Sequence, residues 1–301
     1  MKLLYLSMLS FFVVTTYTLI TIPVKSQSTQ IEYFKRSKVT NSLLPVLGAS
    51  TSFPLMSAQG VIAVDLGSAV VMYEKNADLP LLPASTTKIL TALTAKDYFK
   101  LVDVITVGNI KSEGQRMRLV WGEKITFENL LYGLLVFSAN DAAEALAAAY
   151  PGGRDAFIQA MNQKAQGLNM KNSNFLNPSG LDQIGHVSTA QDMIHLSEVA
   201  MRDPVIAEIV ATKEMTVKST DERFVHPLKN INQLLGVVEG VKGVKTGYTE
   251  GARENLVSFV ERGDKRVLIA LLGSQDRFGE TKELIEWIFK NYSWTYLTSA
   301  P

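Results

Sequence analysis

The chain of 301 residues contains no cysteine. Disulfide frameworks, thiolate zinc sites, cysteine nucleophiles and iron–sulfur clusters are therefore excluded. Histidine is scarce: His186, His195 and His226 are the only three, and no H-E-x-x-H pair of a zinc peptidase occurs. Neither a G-x-S-x-G elbow nor a G-x-x-x-x-G-K-[ST] phosphate loop is present. Charge of one sign is also missing. With 30 basic and 29 acidic residues the net charge is +1, so the basic excess of a nucleic-acid binder is lacking. Apolar residues are plentiful instead. At 47% hydrophobic and 20% charged, the chain can bury a sizeable core and does not have the composition of a disordered one. Its length fits one large domain or two of about 150 residues.

The N-terminus reads as a targeting or anchoring segment, residues 1–26. Lys2 is followed by 22 uncharged residues, Leu3 to Val24, before Lys25. Such a segment sends the rest of the chain across a membrane. As a helix it would be about 33 Å long, enough to span a ~30 Å hydrocarbon core as an anchor. Cleavage after Ser26 is the alternative, because Val24-Lys25-Ser26 ends on a small residue and the flanking cations lie on the outer side. Residues 27–57, rich in Ser, Thr and Gln, read as a linker, 58–293 as one domain and 294–301 as a tail.

Within the domain, Val61–Val64 and Val70–Tyr73 flank Asp65-Leu66-Gly67-Ser68, a hairpin signal. Helices are expected from Ser85 to about Tyr98, Phe127 to Phe137, Asp141 to Tyr150 and Arg154 to Gln166. Another should run from a capping box at Ser188 to about Arg202, and a last one from Gly279 to Tyr292. Between them lie three strand-like runs, Val241–Tyr248, Asn255–Val260 and Arg266–Leu272. The order predicts an α+β domain: an antiparallel sheet with a helical block inserted between its early and late strands.

Ser85 and Lys88, three apart at the start of a helix, share one face. A serine hydroxyl is a weak nucleophile until a base takes its proton. No histidine lies nearby in sequence, so Lys88 is the candidate base. A lysine of pKa ~10.4 serves as a base only if burial or a second cation lowers it, and the apolar helix around Lys88 supplies burial. The unsatisfied N–H groups of the first turn could stabilise an oxyanion. Alone, the pair is equally a capping serine and a surface lysine. Two further triplets change that. Ser138-Ala139-Asn140 lies 53 residues on, in a break between apolar helices, and Lys245-Thr246-Gly247 another 107 residues on, in a strand-like run. Ser-x-x-Lys, Ser-x-Asn and Lys-Thr-Gly each occur once, in the order of the penicillin-recognising serine enzymes.

With Asn177-Pro178-Ser179-Gly180-Leu181, His186–Asp192 and Gly243–Thr249, these segments resemble the D-Ala-D-Ala carboxypeptidase family of low-molecular-mass penicillin-binding proteins, over about Gln59 to Tyr292. The resemblance implies a β-lactamase-like fold with helices on both sides of the sheet. It also implies a serine DD-peptidase acting on peptidoglycan stem peptides without a cofactor or metal, outside the cytoplasm and inhibited by β-lactams. It assigns Ser85 as nucleophile, Lys88 as base, Ser138 as proton relay to the leaving D-alanine and Asn140 as partner of the substrate amide. Lys245 and Thr246, with Arg277, would hold the terminal carboxylate, and Lys245 would help to lower the pKa of Lys88. Gly247 would leave room for the substrate backbone, and the N–H groups of Ser85 and Tyr248 would form the oxyanion hole. His186 reads as a structural turn residue.

Two departures from the family matter. Ala139 stands where many relatives carry glycine, which is tolerated if its φ is negative. Many relatives also continue into a β-rich domain and an amphipathic membrane helix, whereas nine residues come after Tyr292 here. That opens a DD-endopeptidase reading. A class A β-lactamase would need a deacylating Glu after the second motif, and residues 165–197 contain none, only Asp182 and Asp192 as acids. An inactive wall-binding module is disfavoured because every expected side chain is present.

Overall fold

The computed structural model describes residues 43–49 and 52–296. The N-terminal segment, most of the linker up to residue 42 and the last residues of the tail lie outside the described residues. The chain runs through β1 (Leu43–Leu47), β2 (Gly60–Asp65) and β3 (Val71–Lys75), then a 3-10 turn (Ala84–Thr87) continuing into α1 (Lys88–Lys96). Next come β4 (Val104–Thr106), β5 (Lys124–Thr126), α2 (Phe127–Leu135), α3 (Asn140–Ala149), α4 (Gly153–Gly167), α5 (Ala190–Arg202) and α6 (Pro204–Ala211). The last third holds β6 (Glu214–Lys218), β7 (Val225–Lys229), β8 (Val241–Thr249), β9 (Arg253–Arg262), β10 (Lys265–Ser274), α7 (Arg277–Asn291) and β11 (Tyr292–Tyr296).

Five strands form the antiparallel main sheet in the order β3-β2-β10-β9-β8. Early β2 pairs with late β10, so the helices are an insertion between sheet-forming halves, as the α+β expectation has it. All six residues of β2 are buried because helices cover both faces of the sheet. Alternate side chains divide between the two sides. Ile62, Val257, Leu268 and Ala270 join the core of the helical block, while Val61, Leu256, Ile269 and Leu271 pack with Leu284, Ile285 and Ile288 of α7.

Both ends of the body reach further than 58–293. Leu43–Leu47, inside the expected linker, pairs antiparallel with Tyr292–Tyr296, which extends into the expected tail. Aromatic contacts hold this addition in place. Trp294 Nε1 donates to Asp65 Oδ1 at 2.9 Å, the Tyr292 hydroxyl donates to the Met72 carbonyl at 2.6 Å, and Phe53 packs on Trp287 at 5.1 Å between centroids. The N-cap of α5 is Thr189, whose hydroxyl accepts from the Asp192 amide at 3.0 Å, one residue later than the expected box. Ser188 is engaged elsewhere: its backbone bridges to Leu81 and its hydroxyl meets that of Ser173. The expected helix from Ser85 opens as a 3-10 turn and ends at Lys96.

β8 is the edge strand that positions the site. Its one strand partner among the described residues is β9, and its other side lies against the 3-10 turn that carries Ser85.

Candidate active site

The turn Ala84–Thr87 is held in an unusual shape. Ala84, fully buried, has a positive φ of 47°. Gly180, with φ 86°, fits against it so closely that a Cβ there would lie 1.9 Å from the Ala84 carbonyl oxygen. Only glycine allows both the backbone conformation and the approach. Asn177 holds this second loop: its Oδ1 accepts from the amides of Gly180 at 2.7 Å and Leu181 at 3.1 Å, and its Nδ2 donates to the Leu181 carbonyl at 2.9 Å. The Asn-Pro-Ser-Gly segment is thus a buttress for the Ser85 turn. Its motif is visible in the sequence, but not its role.

Lys88 sits between turn and buttress. Its Nζ is 2.8 Å from Ser85 Oγ and donates to the Ser179 carbonyl at 2.6 Å. The side chain is 0% exposed. Burial first, and the Lys245 cation second, hold its amine well below the usual lysine range, against a smaller opposing pull from Glu144 and Asp141. Lys245, also buried, is brought down to about 7 by burial and by the Arg277 guanidinium. Its Nζ donates to the Thr246 carbonyl at 3.0 Å. Arg277 at the head of α7 donates from Nη1 to the Gly247 carbonyl at 2.7 Å. Lys88, Lys245 and Arg277 form a line of cationic groups, each acting on the next, with few acids against them. A carboxylate is the ligand charge that relieves such a line.

Ser138 and Asn140 lie at the junction of α2 and α3. Ser138 is buried with a φ of 61°, a strained conformation for serine. Ala139 has φ −64° and ψ 119°, so alanine replaces glycine there without strain. Asn140 spends one Nδ2 proton on the Glu113 carbonyl at 2.6 Å. Its Oδ1 is buried with no partner. One acceptor and one donor are left over, the complement of a ligand's amide.

Along β8, Lys245 and Gly247 share a face by the period of two. A Cβ on Gly247 would lie 3.1 Å from Ala84 Cβ, the Pro83 carbonyl and the Ser85 amide nitrogen. The glycine therefore admits the Ser85 turn against the strand. Thr246 is buried and Tyr248 is exposed. Past Tyr248, the Thr249 hydroxyl donates to Asp182 Oδ1 at 2.6 Å, which ties the buttress loop to the end of β8.

His186 is structural, as expected. Its Nδ1 accepts from the Leu176 amide at 3.2 Å, so Nε2 carries the proton and faces Thr87 Oγ1 at 3.0 Å. Burial lowers it to about 4, which keeps it neutral. Among the described residues no group of three or more His, Cys, Asp or Glu side chains forms a metal-binding cluster.

Residues 48–276 match the D-alanyl-D-alanine carboxypeptidase family. The D-alanyl-D-alanine carboxypeptidase DacF of Bacillus subtilis is 31% identical over 256 residues, which is 81% of this chain and 65% of that protein. The chain thus spans just under two thirds of that relative. The D-alanyl-D-alanine endopeptidase of Escherichia coli is 32% identical over 249 residues, 79% of each chain. The crystal structure of the Streptomyces K15 DD-transpeptidase superposes with a TM-score of 0.75 at 30% identity, over 80% of this chain and all of that one. The expected β-lactamase-like, DD-peptidase fold is therefore the observed one, and the chain belongs to the D-alanyl-D-alanine carboxypeptidase family.

Proposed function

We propose that the protein is a serine-type D-Ala-D-Ala carboxypeptidase that removes the terminal D-alanine of peptidoglycan stem pentapeptides through an acyl-enzyme on Ser85. The observation that carries this is a buried lysine with a strongly lowered pKa, Lys88, 2.8 Å from the Ser85 hydroxyl. Neutral Lys88 takes the Ser85 proton as Oγ attacks the carbonyl of the penultimate D-alanine. The backbone N–H groups of Ser85 and Tyr248 receive the oxyanion. Lys88 then gives that proton through Ser138 to the departing D-alanine nitrogen as the C–N bond breaks, which returns Lys88 to neutral. Water then attacks the ester, Lys88 takes its proton and hands it to Ser85 Oγ as the acyl bond breaks, which restores the serine hydroxyl and neutral Lys88.

Substrate orientation comes from the same groups. Lys245, Thr246 and Arg277 hold the terminal carboxylate, and Asn140 meets the substrate amide with its two unspent hydrogen-bonding positions. Penicillins acylate the same serine. The enzyme works outside the cytoplasm, its N-terminal segment serving as a retained anchor or as a cleaved export signal. No helix among the described residues is long and apolar enough to cross a membrane.

DD-endopeptidase action on cross-links is the second reading, favoured by the similarity to the Escherichia coli endopeptidase. The cation line argues for the carboxypeptidase, because a cross-linked D-alanine has no free carboxylate for it. Mass spectrometry of defined muropeptides decides between the two. D-alanine release from pentapeptide should outpace cleavage of cross-linked dimers, and the reverse order would install the endopeptidase.

A further inference from the structure

His226 and Glu123 are buried polar groups that the reaction does not use. His226 on β7 is 5% exposed, and Glu123, just before β5, is 2% exposed. His226 Nδ1 lies 2.9 Å from the Met117 carbonyl and Nε2 lies 2.7 Å from Glu123 Oε1. Both ring nitrogens face oxygen acceptors. Burying such a pair is worthwhile only if both ends are satisfied, which makes the Met117 carbonyl an integral part of it.

Met117 is the centre of a strap. Between β4 and β5 the chain runs from Val107 to Glu123 without a helix or strand. So long a bare connection usually serves a function. Its middle hangs on very few groups. The carbonyls of Glu113 and Gln115 accept from Asn140, from Nδ2 at 2.6 Å and from the backbone amide at 2.7 Å. The amides of Met117 and Leu119 donate to Asp141 Oδ1 and Oδ2, each at 3.0 Å. The Met117 side chain fills a notch left by Gly133, where a Cβ would lie 2.3 Å from the sulfur. On the far side, Glu123 Oε2 accepts from the Val120 amide at 3.0 Å. The strap is therefore held from one side by the first two residues of α3 and from the other by the His226–Glu123 pair. The same strap fixes the amide of Asn140.

We propose that His226, braced by Glu123, is a positioning residue for Asn140: it holds the strap at the Met117 carbonyl, and through the strap it fixes the Glu113 carbonyl that orients the Asn140 side-chain amide towards the substrate. The proposal rests on the serine DD-peptidase reading above. It predicts a selective defect, confined to ligands that have an amide for Asn140 to meet.

Acylation of Ser85 by benzylpenicillin, which carries an acylamino side chain, is compared with acylation by 6-aminopenicillanic acid, which does not. His226→Ala should slow the first about tenfold and the second less than about twofold. Asn140→Ala should give the same selective loss, and the double variant should lose little more than either alone, as coupled residues do. Equal losses with both ligands would mean a merely structural role and overturn the proposal. If His226→Ala does not fold, His226→Gln, which keeps one donor, carries the test: a smaller selective loss supports the strap, and an unchanged ratio overturns it. A native protein acylated by neither ligand would instead remove the underlying DD-peptidase reading, and the strap proposal with it.

Discussion

The two faces of the main sheet are built on opposite plans. On the α7 side, Val61, Ile269 and Leu271 meet Leu284, Ile285 and Ile288, and the buried polar groups include Ser274, Glu280 and Thr281 at the head of α7. On the helical side an apolar core is joined by many more buried polar groups, among them Thr86, Thr87, Lys88, Ser138, Asn140 and Lys245. Burying an amine is unfavourable and burying it beside another cation more so, which is why both lysines have lowered pKa values, Lys88 beside Lys245 and Lys245 beside Arg277. Packing alone would have replaced them. The contrast teaches where selection for stability ends: the α7 face minimises exposed apolar area, while the β8 junction holds strained and desolvated groups ready for a ligand.

The contrast can be broken deliberately. The largest effect is expected at Lys88. Lys88→Arg keeps the charge but cannot release it. Serine acylation should fall by about 100-fold or more, the share of a general base, with the fold intact by circular dichroism. On the opposite face the pattern reverses. Leu284→Ala removes a fully buried side chain from α7 and should cost about 3 kcal/mol of stability in chemical denaturation. Acylation per folded molecule should stay unchanged.

The smallest effect sharpens the comparison through pH. A lysine whose folded pKa is lowered destabilises the fold when protonated. For Lys245 that penalty is full below about 7 and lifts as the pH climbs towards the unfolded value of ~10.4. Lys245→Met should therefore be more stable than the native protein by about 1–2 kcal/mol at pH 6. The advantage should shrink as the pH rises towards 10 in thermal melts, while carboxylate recognition is lost at every pH.

Legibility in the sequence divides along the same line. The strands and helices of the main body show in local periodicity, because burial on one or both faces writes itself into spacing. The Ser-x-x-Lys, Ser-x-Asn and Lys-Thr-Gly motifs show because each occurs once and in order. Other features depend on residues far apart. β1 pairs Leu43 with Tyr296, and no local signal names the partner across the length of the domain. The β4–β5 and β6–β7 pairs are too short to carry a period. The α5 cap moved from Ser188 to Thr189 because Ser188 is claimed by Leu81 and Ser173. At Gly247 the residue type was readable, but its neighbour, the Ser85 turn, is a tertiary fact. The strap across Asn140 has no motif at all. Asp203-Pro204 at the head of α6 is a start signal that local reading could use, with the Asp203 carboxylate capping the amides of Val205 and Ile206.

Ser85 is the residue on which the whole proposed mechanism turns. Native protein incubated with benzylpenicillin should gain the mass of one penicilloyl group, and peptide mapping should locate it on the peptide that contains Ser85. Ser85→Ala, folded as judged by its melting curve, should gain none. An adduct of the same mass on that variant, or one mapped elsewhere in the native chain, would contradict the assignment of the nucleophile and the site built around it.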